Sequence, residues 1–190
     1  MTMEVLKAKP TGTIEYLRER LPDFAKDIRL NLSSVLKEDP ASGLMLNQIH
    51  GVALASAYAT RDADVIGAIE GEVAATLSPE EINAAKGAAA LMAMNNVYYR
   101  FVHLAHDPDL SVMAAGLRMN LIVSPGVPKA DFELYALAVS ALNGCGLCIE
   151  SHVKAVEHGG ISKQGIQHAV KIAAVLNAVA QGLRIPAAGQ

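Results

Sequence analysis

The stretch NGCGLCIESH, Asn143 to His152, holds both cysteines of the chain, three positions apart, with a histidine four positions past the second. Two thiols at that spacing can close a disulfide with little backbone change if they lie on a helix. At 100° per residue, Cys145, Cys148 and His152 fall within about 60° of arc on one helix face. A helix start also carries unpaired amides and the positive end of the dipole, which stabilise a thiolate. An imidazole one turn beyond Cys148 can take up or return its proton, directly or through a water.

Other chemistry competes for the same residues. A c-type haem attachment needs His directly after the second Cys, where this chain has Ile149. A structural zinc site needs four ligands; His158 or His168 could add one, but no second close pair exists. Two inert buried cysteines are the third reading, and Asn143-Gly144 argues against it because a turn exposes a helix start. A redox dithiol on a helical scaffold fits best. Glu133, an acid in the otherwise apolar segment FELYALAVSAL, is a candidate partner for His152. It is equally readable as a first-turn residue favourable to the helix dipole, after Asp131 as N-cap.

The elements that must carry these residues are helices. Apolar residues recur at three- and four-residue steps, as in Leu21, Phe24, Ile28, Leu32 and Val35, and alternating β-type patterning is nearly absent. The pattern predicts helices over 13–36 with a break or bend at Pro22, 44–60, 65–76, 79–104, 114–121, 131–142, 146–158 and 163–183. AHDPDLS reads as a turn and VSPGVPKADF as a linker. Ser78-Pro79-Glu80-Glu81 is a capping-box helix start, and Ser162 is a second N-cap.

The order helix, short break, helix, Ser-capped helix occurs twice. A shift of 84 residues lays Ser56 on Ser140, Ser78 on Ser162 and Ile82 on Ile166. We therefore expect one all-α domain of two repeated helical units, roughly 45–104 and 129–184. In that register Arg61, Asp64 and Ala68 stand opposite Cys145, Cys148 and His152, so the dithiol belongs to one copy only.

Composition narrows the function classes. The 190 residues are 52% hydrophobic but only 4% aromatic, with no Trp, which suits helices packed closely through small side chains. A net charge of −3 provides no basic footprint for nucleic acid. The start, MTMEVLKAKPTGTIEYLRERLPDF, has no apolar leader core, and Leu134–Ile149, the most apolar run, is interrupted and too short for a bilayer. A cytoplasmic protein without membrane contact is the expectation, and there a lone cysteine pair is more often catalytic or metal-binding than structural.

The segment GLRMNLIVSPGVPKADFELYALAVSALNGCGLCIESHVKAV resembles the core of AhpD-type alkyl hydroperoxide reductases, within the carboxymuconolactone decarboxylase-like superfamily. LPDFAKDIRLNLSSVL and AALMAMNNVYYRF extend the resemblance over nearly the whole chain. It implies an internally duplicated all-helical fold that assembles as a homotrimer. It also implies an antioxidant enzyme with a redox-active Cys145–Cys148 disulfide and no bound cofactor or metal. Organic hydroperoxides would be its substrates, the peroxiredoxin AhpC its partner, and a dihydrolipoyl group on a dehydrogenase-complex subunit its reductant. By position, Cys148 is the reacting thiol, Cys145 its disulfide partner and proton donor, and His152 and Glu133 members of a proton relay. Some relatives carry a further His just before the second Cys, where this chain has Leu147. The helix dipole favours Cys145 as the more acidic thiol, whereas the resemblance assigns attack to Cys148. A non-enzymatic redox adaptor to a peroxiredoxin and a decarboxylase-like activity are the alternatives.

Overall fold

The computed structural model describes residues 12–186, so residues 1–11 of the opening stretch read for a leader lie outside the described residues. Among these residues there are ten α-helices, one 3-10 turn and no strand. The helices are α1 (Ile14–Arg20), α2 (Lys26–Val35), α3 (Leu46–Thr60), α4 (Ala63–Val73) and α5 (Pro79–Ala105). They continue with α6 (Pro108–Val112), α7 (Asn120–Val123), α8 (Lys129–Asn143), α9 (Gly146–His158) and α10 (Lys163–Arg184).

Local chemistry accounts for most boundaries. Pro22 separates α1 from a 3-10 turn over Asp23–Ala25 that leads into α2, so the long first helix divides in two. Ser78 accepts from the Glu81 amide while the Glu81 carboxylate accepts from the Ser78 amide, and Ser162 accepts from the Gly165 amide. Three expectations fail. AHDPDLS contains the short helix α6, because Asp107 caps the amides of Asp109 and Leu110 and Pro108 suits a first helical position. The helix expected over 114–121 is reduced to α7, since Gly116 takes φ +64°, a left-handed conformation that a continuous helix does not accept. Helix α8 begins earlier than read, after Pro128, so Asp131 is no N-cap. Its buried carboxylate instead accepts from Gln48 Nε2 at 2.6 Å. Burial pushes the Asp131 pKa up, the Gln48 bond opposes this, and the charge of Glu81 adds to it.

Four long helices, α3, α5, α8 and α10, pack against one another and enclose the core. Their meeting faces are small, with Ala53, Ala55, Ala57, Ala84, Ala85, Ala88, Ala136 and Ala138 all buried. Helix α9 lies over α8 and α5, α4 over α3, and α2 over α10. One approach depends on a missing side chain. A Cβ on Gly51 of α3 would stand 2.2 Å from the hydroxyl and ring of the fully buried Tyr135 of α8.

The triads α3–α4–α5 and α8–α9–α10 share order, break positions and Ser caps on their last members. The caps of the middle helices refine their register. Asp62 caps α4 and Cys145 caps α9, so Asp62, Val65 and Ile69 stand opposite Cys145, Cys148 and His152, one place from the residues expected.

Candidate active site

Helix α8 ends at Asn143, and Gly144 turns the chain with φ +68° before α9 begins at Gly146. A residue with a Cβ is strained there, so Gly144 permits the sharp reversal between the two helices. The turn is tied to α5. Arg100 Nη1 donates to the Asn143 carbonyl at 2.6 Å, the Asn143 amide donates to Asn96 Oδ1 at 3.0 Å, and Asn96 donates to Ser140 Oγ at 2.9 Å. The Cys145 amide then donates to the Ser140 carbonyl at 3.1 Å, which seats the first cysteine.

Cys145 is the cap of α9 and Cys148 its third residue, so both sulfurs lie at a helix N-terminus. The Cys148 amide donates to Cys145 Sγ at 3.4 Å. The two cysteines are joined as a disulfide, with Cα atoms 5.3 Å apart, inside the usual range for such a bond. They are not equivalent toward solvent. Cys145 is fully buried, whereas Cys148 is 6% exposed and lines a cavity of about 360 Å³.

One turn beyond Cys148, His152 lines the same cavity. Its Nδ1 lies 2.7 Å from Glu133 Oε2 of α8, and both side chains are buried. Its Nε2 lies 3.3 Å from the sulfur of Met92 on α5. The rest of the lining is mostly apolar or weakly polar, including Asn95, Tyr99, Met119, Ile122 and Leu147. Leu147 is partly exposed at the rim. The structure thus brings Cys145, Cys148, His152 and Glu133 together. A separate recess of about 320 Å³ beside Tyr58, Arg61 and Lys86 has no thiol in its lining.

The zinc reading finds no support in the geometry. His168 Nε2 lies 2.9 Å from the Val35 carbonyl, its hydrogen-bond partner. Among the described residues no group of three or more His, Cys, Asp or Glu side chains is arranged to hold a metal ion. No helix among them is long and apolar enough to cross a membrane.

Sequence reading did not single out Met92 or Asn96. The visible signal was MAMNNVYY, where two adjacent amides interrupt an apolar helix. Asn95 and Asn96 are both buried. A buried amide has to find partners, and those of Asn96 lie beside the dithiol.

Comparison with other proteins now places the chain. Residues 108–185 match the Carboxymuconolactone decarboxylase family. The chain is 56% identical over 176 residues to the alkyl hydroperoxide reductase AhpD of Rhodopseudomonas palustris strain BisA53, covering 93% of this chain and 96% of that protein. The chain belongs to the AhpD family. The AhpD of Coxiella burnetii strain Dugway 5J108-111 is 53% identical over 168 residues, covering 88% of this chain and 95% of that protein. The AhpD of Gluconacetobacter diazotrophicus is 53% identical over 171 residues, covering 90% and 92%. All ten helices therefore belong to one AhpD-family domain, and α6 to α10, with the dithiol, lie in the segment that the broader family shares.

Proposed function

We propose that this AhpD-family protein is an antioxidant thiol peroxidase that reduces organic hydroperoxides at Cys148. The observation that carries the reading is the cavity that Cys148 shares with His152, itself paired with Glu133. The Cys148 thiolate attacks the outer peroxide oxygen, and the O–O bond breaks. Cysteine sulfenic acid forms, and the alkoxide takes a proton to leave as alcohol. The buried Cys145 thiol condenses with the sulfenic acid, releasing water and closing the Cys145–Cys148 disulfide. An external dithiol, of the dihydrolipoyl type carried on a dehydrogenase-complex subunit, reopens the disulfide and is itself oxidised. His152 moves the protons, and Glu133 orients it.

The accessibility difference supports Cys148 as the attacking thiol even though the dipole acts on both sulfurs. The partner peroxiredoxin AhpC, a cytoplasmic location and assembly as a homotrimer complete the reading. An exposed apolar stripe on α5, formed by Met94, Val97, Phe101 and Leu104 at helical spacing, is consistent with subunit contact. The two similar helical triads support an origin by internal duplication.

The test is peroxide consumption by the purified protein with dihydrolipoamide, with and without added peroxiredoxin. Turnover without peroxiredoxin that is lost in Cys148→Ser is the expected result. Turnover only when peroxiredoxin is present indicates a redox adaptor. Activity that survives thiol alkylation overturns the dithiol mechanism and favours a decarboxylase-like reaction.

A further inference from the structure

The two nitrogens of His152 face partners of different strength. An ionised Glu133 carboxylate can only accept, so Nδ1–H donates to it at 2.7 Å. A thioether only accepts, so a proton on Nε2 finds its acceptor in Met92 Sδ, 3.3 Å away. The Met92 sulfur is itself held, because Asn96 Nδ2 approaches it at 3.8 Å while the same amide donates to Ser140 Oγ. Met92 is 1% exposed and lines the cavity together with Cys148 and His152.

A disulfide sulfur is a poor hydrogen-bond acceptor, so a buried Nε2–H needs another partner while Cys145 and Cys148 are joined. Leaving it without one would strand a buried, desolvated donor. The partner has to be weak. Reduction creates a Cys148 thiolate one helical turn from His152, and a charged acceptor binds an N–H far more strongly than a thioether does. A carboxamide or hydroxyl at position 92 would compete with that thiolate, and an aliphatic side chain would leave the N–H unpartnered in the closed state.

We propose that Met92 is a positioning residue whose thioether holds His152 Nε2–H while the disulfide is closed and releases it to the Cys148 thiolate when the disulfide opens. The exchange moves one hydrogen bond and neither makes nor breaks a covalent bond. It stabilises the Cys148 thiolate without an imidazole at position 147. The proposal rests on Cys148 as the reacting thiol, and its test requires no peroxide.

The experiment is nitrogen NMR of protein labelled in its histidine rings, with His152 assigned by the signal lost in His152→Gln. It is combined with the rate of Cys148 alkylation by iodoacetamide in the reduced protein at fixed pH. In the unmodified protein the His152 Nε2 resonance should shift when the disulfide is reduced. In Met92→Leu the disulfide form should already have a changed Nε2 resonance. In Met92→Gln the resonance should no longer follow reduction, and the reduced protein should lose about tenfold in the rate of Cys148 alkylation. An Nε2 resonance that is the same in Met92→Leu and unmodified disulfide forms overturns the proposal. So does a resonance that stays put when the unmodified protein is reduced, a measurement that needs no variant to fold. Absence of peroxide turnover with these shifts intact would count against the proposed function and leave the role of Met92 standing.

Discussion

Glu133 and His152 are nineteen residues apart in the chain, on different helices, and their side chains meet at 2.7 Å in a buried site. The pairing fixes which ring nitrogen faces α8 and leaves the other directed at the cavity. A histidine with one nitrogen anchored in this way keeps a constant orientation through a reaction cycle.

The pair should act as a unit. Glu133→Gln is expected to slow peroxide consumption by about ten- to a hundredfold, and His152→Gln by a similar factor. The double variant should be little worse than His152→Gln alone, since the carboxylate works through the imidazole. Steady-state rates with dihydrolipoamide measure this, and losses that multiply would separate the two roles.

The two thiols should differ in accessibility. In reduced protein, Cys145→Ser leaves Cys148 on the cavity, whereas Cys148→Ser leaves only the fully buried Cys145. Alkylation by iodoacetamide should be at least about tenfold slower in the second variant. Equal rates would remove the structural reason for assigning attack to Cys148.

Packing at Gly51 should be intolerant. The added methyl of Gly51→Ala would collide with the buried ring of Tyr135, so α3 and α8 must separate. A loss of about 1–3 kcal/mol is expected, or roughly 2–4 °C in Tm for each kcal/mol in a chain of this size. Thermal unfolding measures it. An unchanged Tm would show that the tyrosine swings aside without cost.

Acid stability should depend on His50. Burial lowers its pKa, and the Glu72 charge opposes this only in part. The folded state therefore binds the proton less readily than the unfolded chain. The stabilising effect is complete above the ordinary histidine value of 6.5 and is lost progressively as pH falls below it. His50→Leu should flatten the fall in Tm between about pH 7.5 and 5.5. A slope identical to that of the unmodified protein would exclude His50 as its source.

Much of this organisation was legible because it is local. Ser78, Glu81 and Ser162 announce helix starts through their own backbone bonds, and Gly144 announces the break before the dithiol. Three- and four-residue spacing places Cys145, Cys148 and His152 on one side of α9, because the helical period depends only on the backbone. Where reading failed, a competing local signal was involved. Asp107-Pro108 started a helix where a turn was expected, and Gly116 stopped one where apolar residues suggested it should run.

Periodicity tells which residues share a face of a helix, but not which helix that face meets. The sequence by itself determined the long helices, the Ser78 and Ser162 caps and the dithiol stripe. Only the tertiary structure decided that Glu133 reaches His152, that Met92 lies against the far ring nitrogen, and that Cys148 rather than Cys145 borders the cavity. Those contacts depend on how α5, α8 and α9 cross, and close packing of their side chains sets that crossing at a distance along the chain that no local pattern spans.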